Sequence, residues 1–187
     1  GELAFFARAR GIAVHLDGAR FANAVAASGA SPAELTWKSG IDLMSFGGTK
    51  NGCLGAEAIV VFQPGSFPEL AALRQRAGHV VSKARFVAAQ FEGYFEADGW
   101  LRTARHANSM AQKLADGVRA AAFLAWESEA NEVFAVLPKA TIARLRESGA
   151  KFYEWPAEGL GPEQDCVRLV TSWASTADEV ERFVEQL

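Results

Sequence analysis

The chain has 187 residues, half of them apolar and including 13 Phe and 5 Trp, enough for one sizeable core or two small ones. Its 19 basic and 22 acidic residues leave a net charge of -3 with no basic block, which argues against a nucleic-acid partner. No apolar run reaches the roughly 18 residues of a membrane span, Gly1 to Arg10 lacks the pattern of a signal peptide, and the two cysteines, Cys53 and Cys166, follow no metal or redox spacing, which suits a reducing cytoplasm.

Glu2 to Arg10 reads as a helix with apolar Leu3, Phe5 and Phe6, followed at once by a strand over Ile12 to Leu16 that runs into Asp17-Gly18. A chain that opens inside such a helix–strand unit reads as the later part of a longer protein. The short apolar run flanked by helices suits a buried parallel strand. Arg20 to Ala27 continues as a helix that stops near Gly29. Ser31-Pro32-Ala33-Glu34 is a capping box with Pro at the first helical position, opening a helix to about Lys38.

Ile41 to Phe46 is the next strand. It leads through Gly47-Gly48-Thr49-Lys50-Asn51-Gly52 to a returning strand over Glu57 to Phe62. Ser66-Phe67-Pro68-Glu69 reads as a second capping box, with a helix through about Arg76. From about Val80 to Ala122 the pattern is helical, with Gly93, Asp98-Gly99 and Gly117 as candidate breaks. Strands follow at Glu132 to Leu137, Lys151 to Trp155 and Cys166 to Thr171, with a helix from Pro138 to Glu147. A third capping box, Thr176 to Glu179, opens an amphipathic helix with Val180, Phe183, Val184 and Leu187 on one side. The expected organisation is an α/β segment over 1–78, a helical connector over 79–122 and a small α+β domain over 123–187.

Two residues stand out chemically. Asp17 lies at the end of a strand, where open α/β sheets place their ligands. A carboxylate there can hold a proton on a heterocycle nitrogen, bind a metal, or cap the helix that follows. Because alternate strand residues share a face, His15 points the same way as Asp17. Lys50 has glycines on both sides, which let backbone approach a ligand closely. A partly desolvated lysine can act as a Schiff-base amine, whereas a solvated one in a turn does nothing. The loop is not a Walker phosphate loop, since Thr49 precedes Lys50 where that motif has Gly.

Taken together, His15-Leu-Asp-Gly-Ala-Arg20 with Asn23-Ala24, and Ser45-Phe-Gly-Gly-Thr-Lys50-Asn51-Gly52, resemble the cofactor-nitrogen and cofactor-lysine segments of the threonine aldolase family. Their order and spacing also match. The intervening Ser31-Pro-Ala-Glu-Leu-Thr-Trp37 looks like the low-specificity and phenylserine-cleaving members. The likeness runs through Gln90, returns at Val167-Arg-Leu-Val-Thr-Ser172, and covers only the later part of the family's chain.

The resemblance implies the α/β fold of pyridoxal-phosphate transferases of the aspartate aminotransferase type, here as part of the large domain plus the small C-terminal domain. It implies that Lys50 carries pyridoxal 5'-phosphate and that Asp17 pairs with the ring nitrogen. Arg20 would contact the ring hydroxyl or the substrate side of the cofactor, and Arg168 would grip the substrate carboxylate with its planar fork. His15 is a candidate supporter of Asp17, or a packed histidine. Thr49 is a candidate phosphate donor, or a residue that shapes the turn. Lys83 and Arg85 lie in a stretch similar to one that reaches a neighbouring subunit's site, or form a solvated helix face.

The implied activity is cleavage of a β-hydroxy-α-amino acid such as L-threonine, L-allo-threonine or phenylserine to glycine and an aldehyde, with the base lying upstream of these residues. The implied assembly is a cytoplasmic homodimer or homotetramer with shared sites. Another lyase, racemase or hydroxymethyl transferase of the same fold would use the same Asp17 and Lys50, and an inactive fragment is a further alternative. A strand ending in Asp-Gly also resembles haloacid dehalogenase phosphotransferases, although His15 stands where that family has a second Asp.

Overall fold

Three short strands carry the first half of the chain. β1 (His15–Gly18) pairs in parallel with β2 (Leu43–Gly47), which pairs antiparallel with β3 (Glu57–Val61), so that β2 is central. In the computed structural model, which describes residues 1–187, the chain divides into two compact units, Gly1–Arg102 and Thr103–Leu187.

In the first unit the pleat separates two faces of this sheet. Leu16, Met44, Phe46, Ala58 and Val60 share one face and pack with Phe21 and Val25 of α2 (Phe21–Ser28) and with Phe91 and Tyr94 of α5 (Ala84–Phe95). His15, Asp17 and Ser45 therefore share the other face. β1 starts later than the sequence suggests, at His15 rather than Ile12. The Asp42 carboxylate accepts the Val14 amide at 2.7 Å and so removes that donor from any strand ladder. Ile12 is exposed rather than buried.

The other elements of this unit show how local chemistry sets their ends. α1 (Glu2–Arg8) buries Ala4, while Leu3, Phe5 and Phe6 face outward. At α3 (Pro32–Leu35) the full capping box forms: Ser31 is extended, as the residue before a proline prefers. α3 stops short of Lys38 because the Thr36 hydroxyl bonds back to the Pro32 carbonyl at 2.6 Å. A separate 3-10 turn covers Trp37–Ser39.

The expected capping box at Ser66 does not form. α4 (Leu70–Arg76) begins after Glu69, with no side-chain cap. In that box Phe67 would be the first helical residue, and the proline after it disfavours the helical conformation there.

The long helical stretch is interrupted at neither Gly93 nor Gly117. It breaks between α5 and α6 (Gly99–Ala121), where Ala97 and Asp98 take positive φ values of 47° and 54°.

In the second unit a four-stranded antiparallel sheet has the order β4 (Phe123–Trp126), β5 (Glu132–Pro138), β7 (Gln164–Val170), β6 (Tyr153–Glu154). β4 was not among the sequence-predicted elements, and β6 is shorter than the predicted Lys151 to Trp155. Val133, Ala135, Leu137, Val167 and Leu169 line the inner face. They pack against Leu114 and Val118 of α6, Ile142 and Leu145 of α7 (Lys139–Glu147) and Val180 of α8 (Ala177–Val184).

Gly117 is the contact point of α6 with α8: a Cβ there would lie 2.3 Å from Val184 Cγ2. The glycine is therefore a packing residue, not a helix break. Gly117→Val is expected to destabilise the fold by about 1–3 kcal/mol, the range for overpacking a core, read from urea unfolding.

α8 begins with a complete capping box between Thr176 and Glu179. Backbone and side-chain hydrogen bonds from Thr176 hold the Glu179 carboxyl below its ordinary pKa. A depressed folded-state pKa means that this contribution is full above the ordinary glutamate value and disappears as pH falls through the lowered one. In pH-dependent thermal unfolding, Glu179→Gln should therefore lie below the unmodified protein at neutral pH, and the two curves should converge in acid.

Candidate active site

Since β1 and β2 are parallel, both end at the same edge of the sheet, and the segments that leave them meet there. Asp17 stands in register with Ser45. Its Oδ1 accepts the Ala19 amide at 3.0 Å, which fixes the carboxylate while the residue remains exposed. His15 Nε2 lies 2.7 Å from Ser45 Oγ, so this histidine bridges to the neighbouring strand instead of bonding Asp17. Arg20, half-buried, is the cap residue of α2.

The turn after β2 carries Lys50. Gly48 donates to the Ala56 carbonyl at 2.8 Å and accepts from the Asn51 and Cys53 amides at 3.0 and 3.1 Å, closing a 3-10 turn over Thr49–Asn51. Gly47 permits the approach of the two loops: a Cβ on it would lie 3.0 Å from Ala19 Cα. The chain just after Asp17 thus abuts the chain just before Lys50.

Thr49 Oγ1 accepts the Ala56 amide at 3.1 Å and ties the turn to the start of β3. Lys50 itself is exposed, while Asn51 beside it is only 3% exposed. Asn51 Nδ2 donates to Tyr94 Oη at 2.7 Å and to the Trp100 carbonyl at 2.8 Å. Burial pushes the Tyr94 hydroxyl above the ordinary tyrosine range, and the Asn51 bond acts in the opposite sense. Burial, reinforced by Glu57, likewise pushes the Cys53 thiol up.

Asp17, Arg20, Thr49 and Lys50 therefore lie in the first unit where β1 and β2 leave the sheet, while His15 stands at the start of β1 on the same face as Asp17. Arg168 belongs to the second unit, on β7 between Phe134 and Tyr153. Its guanidinium carbon is 4.9 Å from the Trp155 ring centre and 5.8 Å from that of Tyr153, and Nη1 is 3.9 Å from Glu132 Oε1. Nε is buried without a hydrogen-bond partner. Lys83 is exposed at the start of α5, and Arg85 lies over the Phe86 ring at 4.9 Å. Sequence reasoning assigned no role to Ser45, Asn51 or Tyr94. The first two sit inside the Lys50 segment, but only strand register and burial reveal what they touch.

A family model described as beta-eliminating lyase matches residues 1–140. The chain belongs to the beta-eliminating lyase family. It is 40% identical over 179 residues to the low specificity L-threonine aldolase of Pseudomonas aeruginosa, covering 95% of this chain and 50% of that protein. It is 42% identical over 165 residues to the enzyme of the same name from another Pseudomonas strain, covering 87% of this chain and 46% of that protein. The chain spans about half the length of the curated relatives it matches.

Among solved structures, Leishmania major threonine aldolase superposes with a TM-score of 0.86 at 29% identity, over 98% of this chain and 53% of that one. Sphingomonas wittichii serine palmitoyltransferase matches with a TM-score of 0.64 at 15% identity, over 99% of this chain and 48% of that one, a likeness of fold alone. The α/β fold class read from the sequence is thus the one this beta-eliminating lyase family member has.

The Thr49 bond gives a direct check on the geometry of the lysine turn. Thr49→Ala is expected to cost about 1 kcal/mol in chemical unfolding by leaving the Ala56 amide without its acceptor, and Thr49→Ser to restore most of it.

Proposed function

We propose that this chain supplies the lysine-bearing part of a pyridoxal-phosphate-dependent aldehyde lyase. The substrate is a β-hydroxy-α-amino acid (L-threonine, L-allo-threonine or phenylserine), cleaved to glycine and an aldehyde. The observation that carries this reading is Lys50, exposed on a turn whose approach to the Asp17 loop depends on Gly47, at the end of a parallel strand pair. The 40% identity to a threonine aldolase favours the aldolase over other lyases, racemases and transferases with this fold.

The residues present fit the cofactor. Lys50 offers an exposed amine on an anchored turn, and Asp17 offers an exposed carboxylate fixed by the Ala19 amide. When bound, the cofactor supplies a ring that takes up the electron pair released at the substrate α-carbon. Lys50 Nζ would hold the cofactor. Asp17 would keep the ring nitrogen protonated, and the His15–Ser45 bond ties β1 to β2. Arg20 would contact the ring hydroxyl or the substrate side of the cofactor.

Arg168 receives the substrate carboxylate. A guanidinium lying against Trp155 and Tyr153, with an unpartnered Nε, has donors to offer a planar acceptor. Thr49, engaged with Ala56, shapes the turn and would offer its hydroxyl to the cofactor phosphate. We also place the protein in the cytoplasm, in keeping with two unpaired cysteines, as a homodimer or homotetramer, with Lys83 and Arg85 on a solvated helix face.

The test is to mix the protein with pyridoxal phosphate, reduce with borohydride and map the adduct by peptide mass spectrometry. The expected adduct is confined to Lys50 and lost in Lys50→Ala, and aldehyde release from threonine and phenylserine then identifies the substrate. An adduct spread evenly over Lys38, Lys83 and Lys151 on folded protein would sink the cofactor assignment.

A further inference from the structure

Asn51 is the one buried residue of the turn that carries Lys50. A buried amide is costly unless its donors are satisfied, and here both Nδ2 bonds go to fixed points. One is Tyr94 Oη, on a ring packed among Phe46, Phe91, Phe95 and Trp100 with centre separations of 5.5 to 6.5 Å. The other is the Trp100 carbonyl in the first turn of α6. Phe46 belongs to β2 and immediately precedes Gly47. The aromatic block therefore holds the strand that enters the turn, and the Asn51 amide holds the turn itself to the same block.

We infer that Asn51 is a positioning residue for Lys50. Its two donated hydrogen bonds fix the neighbouring backbone and so set where the Lys50 amine stands at the sheet edge. The inference rests on the proposal that Lys50 carries the cofactor. It is also specific: donation is required, not volume. An aspartate of the same shape cannot donate: the Tyr94 hydroxyl can turn to donate to its carboxylate, but the Trp100 carbonyl loses its donor and faces a negative charge. Removing the Tyr94 hydroxyl deletes one acceptor and leaves the ring packing in place.

The test uses the whole chain with Asn51→Asp and Tyr94→Phe, the second covering the case in which the first does not fold. Without cofactor, amide hydrogen exchange is followed at Asn51 and Cys53, whose amides close the turn on Gly48, with Val133 and Leu169 in the second unit as controls. With pyridoxal phosphate, the yield of borohydride adduct at Lys50 relative to Lys38 is measured, together with the visible absorption of the lysine-linked cofactor.

The expected result is turn amides exchanging roughly fivefold faster in Tyr94→Phe, about one neutral hydrogen bond's worth, and more in Asn51→Asp, with the controls unchanged. The preference for Lys50 over Lys38, and the absorption band, should fall in the same order. Faster exchange with an unchanged preference for Lys50 would make Asn51 a purely structural residue and overturn the inference, as would variants indistinguishable from the unmodified protein. Absence of a Lys50 adduct in the unmodified protein is a different failure, that of the cofactor assignment.

Discussion

The parallel pairing of β1 with β2 is the constraint on which the site depends. Parallel neighbours end at the same edge, so the segment after Asp17 and the segment before Lys50 leave the sheet side by side. An antiparallel pair would send them to opposite ends. The pairing also places His15 and Ser45 on one face, and its other face supplies Leu16, Met44 and Phe46 to the core. Burial of that face holds the register, because a slip of one residue would turn Asp17 inward and Leu16 outward.

Much of this was legible in the sequence because the signals were local. Ser31 and Thr176 cap their helices as their motifs require. The Asp17 and Lys50 segments could be recognised from a few residues each. Other features were hidden for identifiable reasons. The start of β1 is decided by Asp42, a residue distant in sequence. At Ser66 the motif was present but a proline at its third position worked against it. Gly117 reads as a break from its own propensity, whereas its role is set by Val184 on another helix. Asn51 carries no outward sign that it is buried.

The turn around Lys50 combines two kinds of restraint. Backbone hydrogen bonds through Gly48 and Ala56 give it shape, and the Asn51 amide gives it a fixed place against an aromatic block. Reactive side chains on loops are placed as accurately as their supports allow. Here the support is rigid: aromatic side chains with few rotatable bonds, and a helix start whose carbonyl cannot move alone. Arg168 has a different kind of support, since it lies on a strand and is steadied by Trp155 and Tyr153.

Within this chain β1 is paired on one side only. An unpaired strand edge is a template onto which another extended segment can add, and this is how many chains begin to aggregate. Two features of β1 blunt that tendency: it has only four residues, and Asp17 carries charge along it. The residue assigned to chemistry thus has a second effect, on colloidal behaviour. Exchanging Asp17 for an uncharged residue would take that charge off the strand edge as well as remove the proposed contact to the ring, so the two effects would have to be separated by comparing self-association with cofactor labelling.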